Sequence, residues 1–308
     1  MGRIAVVGSI NMDMVMYVDR VPTKGETING TGFLLSPGGK GANQAVAASM
    51  MGAEVFFFGK VGNDAFAREL FETLQKKGVS TEFMIQEEDV STGTASITVH
   101  EGDNTIILNQ GANAKVTVDY ISGYLELLRA MDIVVLQNEI PLETTRFICK
   151  ELCDSEVKVL FDPAPFEGVD PVEFLGVDYF TPNETECKAL TGYDTSCSES
   201  IYQSLKYLQD IGIKTPIITM GKNGVAYIEK GVVERVKAYR VDAMDSTAAG
   251  DTFSGALAAE LADGKTVKEA IKFANAAAAI TTTRIGAQKS IPTRQEVLDW
   301  LIEKSDLR

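Results

Sequence analysis

Short runs of β-branched and aromatic residues alternate with longer helix-periodic segments through most of this chain, and that rhythm restricts its fold more than any other feature. The strand-like runs fall at 4–7, 55–58, 133–136, 157–161 and 216–219. Helical patterns cover roughly 43–51, 65–77, 142–152 and 200–211, so the order predicts βαβ units and a mostly parallel central β-sheet flanked by helices. After Asp251 the chain becomes mainly helical and rich in small residues, as in Ala276-Ala277-Ala278-Ala279, which suits helices packed closely on a sheet or on each other. Two stretches, about 14–35 and 93–110, break the rhythm. In the second, Ala95, Ile97 and Val99 alternate with polar residues, and Glu101-Gly102-Asp103-Asn104 predicts the turn of a hairpin. A small sheet built from two such insertions is either an edge on the main domain or a lid over a ligand.

With 308 residues, 45% of them hydrophobic and 23% charged, the chain can bury a large core. A net charge of −14 argues against nucleic acid and anionic lipid, which both require a basic surface. It leaves room for a small anion, since helix termini and metal ions act locally. The four cysteines, at 149, 153, 187 and 197, lack paired CxxC units, and His100 lies far from them, so no structural zinc is expected. The apolar stretch 4–7 is too short for a signal peptide, and no run reaches membrane-spanning length. The expectation is a cytoplasmic protein with reduced cysteines.

Neither GxGxxG nor GxxxxGK[ST] occurs, which disfavours dinucleotide chemistry and a Walker-type loop. Asn11 and Asp13 follow the first strand, where open α/β sheets place ligands, and an amide with a carboxylate suits vicinal hydroxyls. An Asx-stabilised turn would look the same. The cluster Pro37-Gly38-Gly39-Lys40-Gly41-Ala42-Asn43-Gln44-Ala45 brings glycines to a helix start, as a backbone-to-ligand approach or a tight turn would need. Most informative is Asp245-Ser246-Thr247-Ala248-Ala249-Gly250-Asp251-Thr252. Small residues there offer consecutive backbone N–H groups to a phosphoryl group at a helix N-terminus. A carboxylate facing such a site is repelled unless it has a task, and accepting a proton from an attacking hydroxyl is one. Otherwise Asp251 is a helix cap.

These segments resemble the ribokinase family, the PfkB-type carbohydrate kinases. The 38–45 segment is similar to the family's first signature and 245–257 to its second, with Ser246 in place of a common threonine. Gly111-Ala112-Asn113-Ala114 and Thr181-Pro182-Asn183-Glu184-Thr185-Glu186 resemble the ribokinase branch, and the likeness continues to Ile291-Pro292. The resemblance implies one ribokinase-like kinase domain over 1–308, with the two insertions forming a β lid that clasps a second subunit into a homodimer. It implies transfer of the γ-phosphoryl group of ATP, with Mg²⁺, to the 5-hydroxyl of ribose.

By motif, Asn11, Asp13, Gly39, Lys40, Asn43 and Glu139 would hold the sugar and Asp251 would be its base. Ala248, Ala249 and Gly250 would form the anion hole. Asn183, the 219–224 loop with Thr219, Gly221 and Gly224, and Asn275 near adenine would hold ATP, while Asn183 and Glu186 would position Mg²⁺ through water. A monovalent cation, K⁺, would be bound by Asp245, Thr247, Thr281, Arg284, Gly286 and Ser290, all oxygen donors. A relative acting on deoxyribose, fructose or a nucleoside, or a silent sugar-binding protein on this fold, would share most of this pattern.

Overall fold

The computed structural model describes residues 1–101, 103–229 and 231–306, so Gly102 of the expected hairpin turn lies outside the described residues. The chain opens with β1 (Arg3–Val7), β2 (Asn11–Tyr17), β3 (Gly32–Gly38) and α1 (Lys40–Met50). Next come β4 (Glu54–Phe58), β5 (Lys60–Gly62), α2 (Ala65–Lys76), β6 (Val79–Ser80) and β7 (Ile85–Glu87). The pair β8 (Gly93–His100) and β9 (Asp103–Asn109) precedes α3 (Val118–Ser122), α4 (Leu125–Arg129), β10 (Ile133–Leu136), α5 (Leu142–Leu152), β11 (Lys158–Phe161) and β12 (Tyr179–Phe180). The last part holds α6 (Glu184–Thr191), α7 (Ser198–Asp210), β13 (Thr215–Thr219), β14 (Val225–Glu229), β15 (Val232–Val236), α8 (Ala249–Ala262), α9 (Val267–Thr282) and α10 (Arg294–Asp306).

Among the described residues the main sheet runs β15-β14-β13-β12-β11-β10-β1-β4-β6. It is parallel from β13 to β6, and β14 and β15 add an antiparallel edge. Alternate residues of β1 serve opposite faces: Ile4 and Val6 pack with α1, α8 and α9, whereas Ala5 and Val7 pack with β10 and α5. Burial on both faces is why β1, β10 and β11 read as continuous apolar runs rather than alternating ones. The later strands go to either side of β1, so the strand order reverses there, and in open α/β sheets ligands bind beyond the strand ends at such a point.

A second sheet, ordered β3-β2-β8-β9, is assembled from the two insertions. Its first two strands begin at Asn11 and end at Gly38, so Asn11 and Asp13 belong to β2 rather than to a loop after β1. Exposed Met16, Tyr17, Phe33, Leu34, Ile106, Ile107 and Leu108 stud this sheet. No described helix is long and apolar enough to cross a membrane.

Candidate active site

The site begins where the second sheet hands the chain back to the main domain. Gly39 caps α1 with φ 89°, and a Cβ there would lie 2.8 Å from the Ile10 Cα, so only glycine makes this turn without strain. Lys40, Asn43 and Gln44 then follow at i, i+3 and i+4, on one face of α1. That face meets α8 closely because Gly255 of α8 lies against the Gln44 carbonyl and the Ala47 side chain, leaving no room for a Cβ. The first turn of α8 thereby comes within reach of α1.

Asp251 is buried in that turn. Its Oδ2 accepts a hydrogen bond from Asn43 Nδ2 at 2.9 Å, its Oδ1 accepts one from Gln44 Nε2 at 3.3 Å, and Lys40 Nζ lies 3.9 Å from Oδ1. The carboxylate does not cap its own helix: the cap position is Ala248, in the left-handed region at φ 60° with no side-chain hydrogen bond. The capping interpretation of Asp251 is therefore excluded, and the N–H groups at the start of α8 lack a side-chain cap.

Beyond the carboxyl ends of β1 and β10, Ser9 Oγ donates to Glu139 Oε2 at 2.6 Å, and the same oxygen accepts from Lys40 N at 3.0 Å. Asn11 Oδ1 accepts from Asn113 Nδ2 at 2.7 Å, which ties β2 to the segment after β9. Burial and the negative charges of Glu139 and Asp251 push the Asp13 carboxyl up to about 7. Burial alone would lower the Lys40 ammonium, but Asp251, Asp162, Glu139 and Glu186 outweigh it and the net shift is upward. Asn43 Oδ1 is buried without a hydrogen-bond partner, and an orphaned acceptor of this kind fits a ligand hydroxyl. The structure thus brings Asp13, Lys40, Glu139 and Asp251 into one electrostatic cluster, with Asn43 bonded to Asp251.

On the other side of the α8 N-terminus lies a cleft of about 1090 Å³. Asn183, Thr219, Gly221, Gly224, Gly250 and Asn275 all line it, together with Ala249. Small-molecule clefts commonly span about 300–1,000 Å³, so this one has room for a nucleotide. Asn275 donates to Lys237 O at 2.9 Å, which secures one wall. Glu186 does not line the cleft; it forms a reciprocal cap with Asn183, with Asn183 N donating to Glu186 Oε2 at 2.8 Å and Glu186 N to Asn183 Oδ1 at 2.9 Å. The cap occupies Glu186 Oε2, and the Glu186 side chain is buried behind Asn183. Among the described residues no cluster of three or more His, Cys, Asp or Glu side chains could hold a metal.

Of the residues expected to hold a cation, the structure joins Asp245, Thr247 and Gly286 directly. Asp245 Oδ1 accepts from Thr247 N and its Oδ2 from Gly286 N, each at 2.9 Å, so one carboxylate ties the two loops together. Burial works against its ionisation, but bonds from Thr247 and Gly286 outweigh it and hold the carboxyl below its ordinary range. The Arg284 guanidinium is paired with Glu296 at 2.6 Å and so is turned to α10. Thr281 and Ser290 are buried. Oxygen donors of this kind suit a hard monovalent ion.

Sequence reasoning named Ser9, Asn113 and Gln44 within motifs but gave them no task, and it missed Gln137 and Asp162. Asp162 follows β11 directly, and position beyond a parallel strand was the signal that could have found it.

Comparison with known proteins adds independent evidence. Residues 1–294 match the pfkB family carbohydrate kinase model. A ribokinase from Bacillus subtilis (strain 168) is 39% identical over 301 residues, covering 98% of this chain and all of the relative. Similar solved structures include a ribokinase from Thermotoga maritima, with TM-score 0.90, 38% identity and coverage of 98% and 99% of the two chains. Another is the Arabidopsis thaliana ribokinase complexed with ribose and ATP, with TM-score 0.89, 33% identity and coverage of 97% and 98%. A family match across nearly the whole chain, joined to a carboxylate set between a polar cluster and a nucleotide-sized cleft, places this protein in the pfkB family of carbohydrate kinases.

Proposed function

We propose that the protein transfers the γ-phosphoryl group of ATP to the 5-hydroxyl of D-ribose, giving D-ribose 5-phosphate and ADP. The observation that carries this is the placement of α8. Ala249 and Gly250 line the nucleotide-sized cleft, while the next residue, Asp251, turns its carboxylate to Asn43, Gln44 and Lys40. A sugar held by Asn11, Asp13, Gly39, Lys40, Asn43 and Glu139 would present its hydroxyl between that carboxylate and the phosphates. Asp251 takes the hydroxyl proton as the sugar oxygen bonds to phosphorus; the bond to the bridging oxygen breaks and ADP leaves. Donors at Ala248, Ala249 and Gly250 meet the charge that develops. Mg²⁺, positioned through water by Asn183 and Glu186, would neutralise phosphate charge when bound. Asn275 would sit beside adenine.

A K⁺ ion at Asp245, Thr247, Thr281, Arg284, Gly286 and Ser290 would brace the loop that runs into the anion hole. The second sheet would serve as lid and homodimer interface. All four cysteines are unpaired, which supports a reducing, cytoplasmic setting. ADP release measured with ribose, deoxyribose, fructose and adenosine tests the reading. Highest kcat/KM with ribose is expected; preference for another acceptor would reassign the substrate, and no turnover with any would remove the kinase assignment.

A further inference from the structure

Gln44 contributes to neither ligand in the reading above, yet it sits at the centre of a buried network. Its Nε2 donates to Asp162 Oδ2 at 2.7 Å and to Asp251 Oδ1 at 3.3 Å, and its Oε1 accepts from Gln137 Nε2 at 2.7 Å. A carboxylate has a broad terminal torsion, so the rotamer of Asp251 does not set the direction of its lone pairs. One donor, Asn43 on Oδ2, leaves the group free to pivot about that bond. Lys40, 3.9 Å away, is beyond hydrogen-bond distance and acts as a point charge. Gln44 is the second directional contact.

We infer that Gln44 is a positioning residue for the base, fixing the plane of the Asp251 carboxylate so that one lone pair faces the attacking hydroxyl. The inference rests on the reading of Asp251 as that base. Its own orientation is determined by the same network. A flipped amide would aim Oε1 at the Asp251 carboxylate and lose the bond from Gln137, so the NH₂ group faces Asp162 and Asp251. Gln137 thus acts on the base only through Gln44.

The test compares Gln44→Met, Gln44→Glu, Gln137→Met and the double Gln44→Met/Gln137→Met with Asp251→Asn, reading kcat, both KM values and thermal midpoint. Gln44→Met is expected to lower kcat about 10- to 100-fold, the scale of a misaligned catalytic group, with both KM values within about threefold. Gln44→Glu keeps the shape and the acceptor for Gln137 but turns an acceptor toward the Asp251 carboxylate in place of a donor, so it should fall at least as far. Gln137→Met should lose less, and the double variant should be no worse than Gln44→Met alone. A folded Gln44→Met with unchanged kcat, or additive losses in the double variant, overturns the inference. Should the Gln44 variants fail to fold, Gln137→Met decides: lowered kcat at constant KM supports the network, and unchanged kcat removes it. Full turnover by Asp251→Asn would instead remove the base and this inference with it, whereas inactive Asp251→Asn beside fully active Gln44→Met removes the inference alone.

Discussion

Asp251 and Asp13 are both aspartates near the same polar cluster, but their surroundings prepare them for different work. Asp251 has amide donors on both oxygens and an ammonium nearby, an arrangement that aims a carboxylate. Replacing it with Asn should keep the fold and ATP binding while lowering ribose-dependent ADP release by about two to four powers of ten, the usual range for a general base. Near-normal turnover would relieve Asp251 of that role. Asp13 lies against Glu139 and Asp251, and burial with those charges raises it to about 7. Asp162 is raised further, to about 8, chiefly by burial, with Glu186 and Asp251 adding to the rise and Lys40 opposing it. Both groups hold protons more tightly folded than at the ordinary value of 3.8, so folding takes up protons as the chain closes. Their contribution to stability is full below about pH 4 and is lost as pH rises through about 7 and 8. The thermal midpoint of the ligand-free protein should therefore fall as pH rises from about 5 to about 8, with Asp13 contributing up to about 7 and Asp162 up to about 8. Asp162→Asn should flatten the upper part of that fall; a midpoint that climbs over this window would contradict the assignment. Carboxyls held low, such as Asp64 and Asp245, add stability that is lost only in acid, below this window.

At the scale of elements, the contact between α1 and α8 decides whether base and sugar residues meet. Helix propensity favours Ala over Gly by up to about 1 kcal/mol, so Gly255→Ala would stabilise an isolated α8. Here a Cβ would strike the Gln44 carbonyl and Ala47, and overpacking against backbone typically costs about 1–3 kcal/mol. The variant is expected to lower both the thermal midpoint and kcat; a more stable, fully active Gly255→Ala would show that α8 can move without loss. The loop before α8 carries a second prediction. Turnover should be faster in K⁺ than in Na⁺ or a bulky organic cation at constant ionic strength, and Asp245→Ala should erase the difference; equal rates for the unmutated protein would leave Asp245 only as the tie between Thr247 and Gly286. Element starts show why boundaries were harder to read than elements. α1 begins at Lys40, ahead of the 43–51 helical pattern, because the glycines before Asn43 read as loop although Gly41 is already helical and buried. α7 begins at Ser198 because the Cys197 thiol accepts from Ser200 N at 3.5 Å, and cysteine carries little capping signal.

Across the whole molecule, the second sheet carries the apolar side chains that water leaves unpaired. Phe33, Ile106, Ile107 and Leu108 are about half exposed or more, and bare strand edges invite pairing. A homodimer at micromolar concentration in sedimentation is expected, with Ile107→Asp shifting it to monomer and lowering activity; a fully active monomer of the unmutated protein would separate the sheet from assembly. The sequence by itself determined the parallel α/β architecture and the two insertions, because hydrophobic period and turn residues are local properties; it pointed to the segments proposed to supply sugar, nucleotide and cation residues through the resemblance of their motifs to the family. It gave no sign that Asn11 and Asp13 stand within a strand, since polar residues right after a buried run look like a turn. Nor did it show Gln44, Gln137, Asp162 and Asp251 joined in one network. Those positions lie up to 207 residues apart, and only the reversal of strand order at β1 and the close approach of α1 to α8 bring them together. Periodicity specifies which face of an element is buried, and the partner across that face is decided by how the elements pack.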